Sequence, residues 1–196
     1  MGMPATGEAR FQKYAEIDGK SGRPRGFATP TGRVEIYSTT FARAGHAPLP
    51  VYQAPADAEE FPLSLTFFRL VQYCDVQHRH IPRLRRQVPE PFLEIHPETA
   101  ARLGVADGEW VIVETRVGRI RLKARLSDSL HPGMVSTVHG WWQGCRDLGL
   151  PGYDPFGPDW SNANLLVSND EVDPISGSVP HRSQRCRVRK DAAGTS

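Results

Sequence analysis

The chain has 196 residues, enough for one domain with a short extension, and its 39% hydrophobic and 23% charged residues are ordinary for a globular protein. Twenty-four basic against 22 acidic residues leave a net charge of +2, so charge makes no case for nucleic acid or an anionic membrane as partner. No apolar run is long enough to cross a bilayer, so no membrane insertion is expected.

The 18 glycines and 17 prolines are in excess of average usage and favour a strand-rich, turn-rich fold over a helical bundle. Cys74, Cys145 and Cys186 lie far apart with no C-x-x-C spacing. They are expected to be small buried or half-buried residues, not disulfide partners or metal ligands. Met1-Gly2-Met3-Pro4 has neither the basic nor the apolar region of a signal peptide. The expected location is the cytoplasm, or the periplasm if a longer protein carries a twin-arginine signal.

Residues 1–25 are polar and without periodicity and read as an N-terminal arm. Gly19-Lys20-Ser21 looks like the end of a phosphate loop, but Tyr14 stands where the upstream glycine is required and no strand precedes it. Thr29-Pro30-Thr31-Gly32 is a turn signal, and Val34-Glu35-Ile36-Tyr37 alternates as a strand should. Residues 47–62 carry prolines at 48, 50, 55 and 62 and read as a connector. Leu63 to Phe68 predicts a strand whose alternation breaks at Phe67-Phe68, where it enters the core.

Phe92 to Ile95 predicts the next strand. Pro97 then opens a short helix that Gly104 ends, the usual proline-first, glycine-last asymmetry. Trp110 to Val113 is apolar on both faces, as a doubly covered strand should be. Gly118 marks a hairpin. From Arg119 to Leu126 the pattern alternates strictly: Ile120, Leu122, Ala124 and Leu126 on one face, Arg119, Arg121, Lys123 and Arg125 on the other. The basic face reads as solvated surface. Met134 to Val138 and Arg185 to Arg189 complete the strands, and the irregular, aromatic-rich stretch 141–185 predicts a binding surface made of loops.

Three clusters carry chemistry. His78 and His80 would share a strand face and could share a ligand. With Arg79, Arg83, Arg85 and Arg86 they also read as an anion patch, or as a plain half-exposed surface. His139-Gly140-Trp141-Trp142 follows a strand directly; glycine admits close backbone approach, and the tryptophans offer flat apolar area or simply a core pair. Asn162-Ala163-Asn164 places two amides that can read a heterocycle or stabilise a loop. There is no HExxH and no G-x-S-x-G.

Taken in order, Thr29 to Ser38, Pro62 to Thr66, Pro89-Glu90-Pro91, Glu94 to Ala100, Leu103 to Gly108, His139 to Trp142, Asn162 to Asn164, Asp173 to Gly177 and Cys186-Arg187-Val188 resemble a known family. It is the C-terminal molybdopterin-guanine-dinucleotide-binding domain of the molybdopterin oxidoreductase superfamily, the dimethyl sulfoxide reductase and formate dehydrogenase type. The resemblance implies a mainly β fold, a double-psi β-barrel with one or two short inserted helices, over residues 26–190, followed by a tail over 191–196. It implies that the domain positions molybdopterin guanine dinucleotide without turnover of its own, with no catalytic residue and no metal ligand in this chain. Mo or W would be held mainly by the dithiolenes and by missing domains.

Thr66, Arg69, His78 and His80 would meet phosphate, sugar or pterin. His139, Gly140 and Trp141 would follow a pterin edge, Asn162 and Asn164 would hydrogen-bond it, and Arg182 would add a late basic contact. Phe67-Phe68 departs from the small residue usual before that arginine and would narrow the pocket. The chain carries no cysteine cluster for iron–sulfur and no metal-ligand segment, so the expected partners are the remaining domains or large subunit of an oxidoreductase. Two other readings are a separate small barrel subunit completing a partner's cofactor site and a cofactor-free barrel serving protein interaction. Docking on large partner domains implies an exposed apolar patch, with Trp141, Trp142 and Trp160 as its members.

Overall fold

The computed structural model describes residues 12–52, 54, 59–157, 161–182 and 184–192. It divides into two units, Met1–Ala54 and Pro55–Ser196, with the boundary inside the proline-rich stretch. In the first unit a 3-10 turn, Lys13–Ala15, precedes an isolated bridge between Ile17 and Pro24, and helix α1 spans Thr39–Arg43. The Ser38 hydroxyl caps α1 by accepting from the Phe41 N–H at 3.2 Å. The strand expected over Val34–Tyr37 does not form. Alternation needs both a neighbouring strand and a core to face, and Val34, Ile36 and Tyr37 are all exposed.

The second unit is a closed barrel of six strands: β1 Leu63–Phe68, β2 Phe92–Ile95, β3 Trp110–Glu114, β4 Arg119–Leu126, β5 Met134–Val138 and β6 Gln184–Lys190. Around the barrel the order is β1-β5-β2-β4-β3-β6. The pairs β1/β5 and β2/β4 are parallel and the other four antiparallel, so the first strand closes on the last. Among the described residues, each barrel strand is paired on both sides.

Two short helices are inserted, α2 Pro82–Arg85 and α3 Pro97–Leu103. In α3 the predicted signals work as read. Pro97 sits in the first turn, His96 Nδ1 accepts from the Glu98 N–H, and Gly104 ends the helix at φ 65°, where a side chain would be strained.

Leu63, Leu65 and Phe67 of β1 join Leu93, Ile95, Val111, Val113, Ile120, Leu122, Val135 and Val188 in the main core. The alternation of β1 does not break at Phe67-Phe68; it runs to the end of the strand. Phe67 points into the main core, while Phe68 packs on a second cluster around Tyr73, Phe92, Val138 and Trp141. Apolar matter on both faces disguised a regular strand. On β4 the even positions Ile120, Leu122 and Ala124 are buried and Leu126 is exposed. The basic face pairs locally: Arg121 with Asp191 at 2.5 Å, Lys123 with Glu90 at 2.5 Å, and Arg125 with Glu94. Arg121 also stacks on Trp110, 4.2 Å from the ring centroid.

The loops over 141–157 and 161–182 form 3-10 turns at Arg146–Leu148 and Ala163–Leu166 among irregular backbone. They are tied to the barrel by the Thr115 hydroxyl, which donates to the Leu166 carbonyl at 3.0 Å. Of the expected apolar patch, Trp141 is buried, Trp142 is half-buried and Trp160 lies outside the described residues. Trp141 is held inside by the second cluster, so it contributes nothing to a docking face.

Candidate functional site

A cleft of about 560 Å³ opens at one end of the barrel, lined by Phe67, Phe68, Arg69, His139, His181 and Arg182. Topology explains the grouping. Strands β1 and β5 are parallel, and Phe68 lies opposite Val138, so the residues leaving both strands, Arg69 and His139, emerge side by side. Strand β6 runs antiparallel to β1 with Leu65 opposite Gln184, so His181 and Arg182, just before β6, come alongside the end of β1.

Phe67 forms the floor. Its ring stacks on His139 with centroids 5.9 Å apart and meets His181 edge-on at 5.7 Å, and the two imidazoles meet at 6.1 Å. The phenylalanine pair therefore shapes the cleft without filling it. Burial pushes the His139 pKa below the ordinary histidine value; the Asp75 carboxylate opposes this, and His181, Arg69 and Arg79 reinforce it. At the mouth Arg69 is exposed and ion-paired to Asp75 at 2.8 Å, and Arg182 is exposed.

Behind the His139 wall lies a second cationic layer, facing inward. Arg79 and Arg85 are both almost fully buried, and both stack on Trp141, with guanidinium carbons 4.6 and 5.0 Å from its ring centroid. Arg79 Nη2 donates to the His139 carbonyl at 2.6 Å and Nη1 to the Asp75 carbonyl at 2.9 Å, joining the cleft-lining His139 to the turn that bears the Arg69 partner Asp75. Arg85 donates to the carbonyls of Pro89 at 2.7 Å and Gln143 at 3.0 Å. Arg79 Nε, Arg85 Nη2 and Trp141 Nε1 are buried without a hydrogen-bond partner among the described residues. Burial lowers the pKa of both arginines, that of Arg79 to about 10.

Of the residues singled out from sequence, the cleft brings together Arg69, His139 and Arg182. Thr66 sits one turn of the pleat back in β1, where its carbonyl accepts from the Ser136 hydroxyl at 3.4 Å. His78 and His80 flank Arg79 with ring centroids 6.5 Å apart and line no part of the cleft. No strand forms there; His78 has φ 71°, and the chain turns to aim Arg79 inward.

Gly140 is required by packing, because a Cβ there would overlap the Trp142 ring. Trp141 is core. Asn162 is buried, with Nδ2 donating to the Pro155 carbonyl at 2.8 Å and Oδ1 accepting from the Asn164 N–H at 3.1 Å. Both ends of its amide are used in capping a turn, and the Asn164 side chain is exposed beside it. Sequence reasoning missed His181 and Asp75. The signal for His181 was its place immediately before the closing strand; Asp75 left none.

The cleft at the end of this barrel is cationic and floored by an aromatic ring, a lining whose chemistry suits an anionic ring system. Comparison with known proteins shows the family. The model of the molydopterin dinucleotide binding domain matches residues 63–184. Dopamine dehydroxylase of Eggerthella lenta is 30% identical over 203 residues, which cover 93% of this chain and 19% of that protein. Acetylene hydratase of Syntrophotalea acetylenica is 35% identical over 165 residues, 78% of this chain and 22% of that protein. The solved structure of acetylene hydratase from Pelobacter acetylenicus superposes with a TM-score of 0.70 at 31% identity, covering 89% of this chain and 25% of that one.

The chain belongs to the molydopterin dinucleotide binding domain family of the molybdopterin oxidoreductases, and its cofactor is molybdopterin guanine dinucleotide. It spans about a fifth of the length of these curated relatives. The cleft fits the group. Two guanidiniums and two imidazoles suit phosphate oxygens, Phe67 offers a flat face, and the volume is within the roughly 300–1,000 Å³ of small-molecule sites.

Proposed function

We propose that this barrel grips one end of the dinucleotide and holds the pterin in place for the rest of a larger molybdenum or tungsten oxidoreductase. The observation that carries this is the cleft itself: Arg69, Arg182, His139 and His181 converge over an aromatic floor at one barrel end. When bound, the cofactor supplies the metal-centred chemistry. The chain's own residues bind and orient. Arg69 and Arg182 hold phosphate oxygens, since guanidinium donors match them in charge and geometry. Burial disfavours the charged form of His139, and the neutral imidazole can accept as well as donate a hydrogen bond toward a pterin edge. The backbone of His139 is fixed from behind by Arg79.

A cofactor-free interaction module would be expected to carry apolar side chains in place of these cations, and the cationic lining supports the binding reading. The activity of the whole protein would then depend on the parts outside this chain, with redox and non-redox chemistry both represented among the relatives' names.

Anaerobic titration of the 196-residue chain with molybdopterin guanine dinucleotide, followed by pterin fluorescence, tests the assignment. Saturable binding in the wild type, weakened about tenfold or more in the Arg69→Gln/Arg182→Gln double variant, is the expected result. Equal binding by both proteins, or none by either, overturns it.

A further inference from the structure

The mouth of the cleft holds a built-in anion. Arg69, the first cation after β1, is already engaged by Asp75 at 2.8 Å. Both partners are partly exposed, so a solute can reach them. Asp75 is not there by accident of a loose loop. Its backbone has φ 50°, a left-handed conformation that aspartate tolerates better than most residues, and His78 three residues on has φ 71°. The strained turn is pinned by Arg79, whose buried guanidinium donates to the Asp75 carbonyl at 2.9 Å and to the His139 carbonyl at 2.6 Å. The same arginine thus ties the carboxylate-bearing turn to the backbone of His139, which lines the cleft. Strain that the surrounding structure holds in place at a binding site is a mark of a functional constraint.

We propose that Asp75 is an internal competitor for the cleft's anion position: its carboxylate occupies Arg69 until a phosphate-bearing ligand displaces it. This rests on the cleft being the dinucleotide site and adds the residue that sets its charge selectivity. A pyrophosphate group carries several negative oxygens and can engage Arg69 and Arg182 together, so it outcompetes one carboxylate. A singly charged carboxylate or an uncharged nucleoside does not. Asp75 thereby keeps the empty cleft's cation satisfied and rejects weak anions. Exposed ion pairs are weak, so the exchange is easily reversed by a better anion.

The test is isothermal titration of inorganic pyrophosphate into the 196-residue wild type, Asp75→Asn, Arg69→Gln and the double variant. Asparagine also tolerates the left-handed backbone, and the Arg79 bond goes to the main chain, so Asp75→Asn leaves the turn intact. Thermal unfolding checks that all four proteins are folded.

Asp75→Asn is expected to tighten pyrophosphate about two- to fivefold, the scale of an exposed ion pair, and the gain is expected to vanish in the Arg69→Gln background. Unchanged or weaker binding by Asp75→Asn overturns the competitor role while leaving the binding site standing. A gain that persists without Arg69 also overturns it, because it would report a general field and not displacement. No pyrophosphate binding by any of the four overturns the competitor and counts against the cleft as a phosphate site.

Discussion

Arg79 is the residue on which the cleft's geometry turns, and replacing it with lysine isolates why. Both side chains carry a charge, but a guanidinium forks to two acceptors in fixed directions, while an ammonium on a flexible stem is a point donor. Arg79 uses the fork to reach the carbonyls of Asp75 and His139, which lie 64 positions apart in sequence. Lysine keeps the buried charge and its desolvation cost but loses at least one of two charge-assisted hydrogen bonds, each worth ~1.5–3 kcal/mol. It also gives up part of the stacking on Trp141 and Tyr73, at 4.6 and 4.9 Å from the ring centroids.

A chain of this size loses ~2–4 °C of Tm per kcal/mol. Arg79→Lys is therefore expected to unfold roughly 3–12 °C below wild type in a thermal scan by circular dichroism. Arg79→Met discards the charge together with its desolvation cost and should be no less stable than Arg79→Lys, since a buried charge with too few partners is worse than none. A lysine variant as stable as wild type, or a methionine variant much less stable than the lysine one, would refute the fork as the operative feature.

Three other outcomes follow from the structure. Gly140→Ala forces a methyl into the Trp142 ring, so it should cost ~1–3 kcal/mol in urea unfolding and shift the tryptophan emission; an unperturbed spectrum and midpoint would contradict the packing. Folding depresses the His139 pKa, so the unfolded chain binds the extra proton more readily, and stability from this group is full above its unfolded value of about 6.5 and is lost as pH falls through the folded one. His139→Gln should flatten that part of the stability–pH curve in acid, and an unchanged slope would assign it elsewhere. Cys74 is exposed while Cys145 and Cys186 are buried, and burial raises the Cys186 thiol to about 12. A thiol reagent should therefore titrate one cysteine quickly in the native chain and the other two only on denaturation.

The strands of the barrel were readable because each obeys a local rule. Arg119 to Leu126 alternates cleanly, Trp110 to Val113 is uniformly apolar, and Pro97 and Gly104 bracket a helix. Val34 to Tyr37 misled because alternation is necessary for a strand but pairing is what makes one. At Phe67-Phe68 a second apolar cluster on the outer face hid a regular alternation.

The cleft was legible only in part. Arg69, His139 and Arg182 follow or precede strands directly, so strand ends located them. Asn162, Gly140 and Trp141 carried equally suggestive chemistry, but turn capping, ring packing and core burial absorb them, and those demands depend on contacts distant in sequence. The buried arginines were the least readable. Arg79 and Arg85 belong to a stretch rich in exposed arginines, and only the fold separates the two that turn inward.

The seam between β1 and β6 has a temporal meaning. Arg185 secures it by donating to the carbonyls of Phe61 and Pro62 and to the Ser64 hydroxyl, across separations of 121 to 124 residues. The cleft's two guanidiniums flank that seam: Arg69 directly follows β1, and Arg182 lies just before β6. As the polypeptide leaves the ribosome, the two are not brought alongside until β6 has arrived and paired with β1. On the proposed reading, a chain cut short before Gln184 would still carry both guanidiniums but would lack the strand that sets Arg182 beside the end of β1.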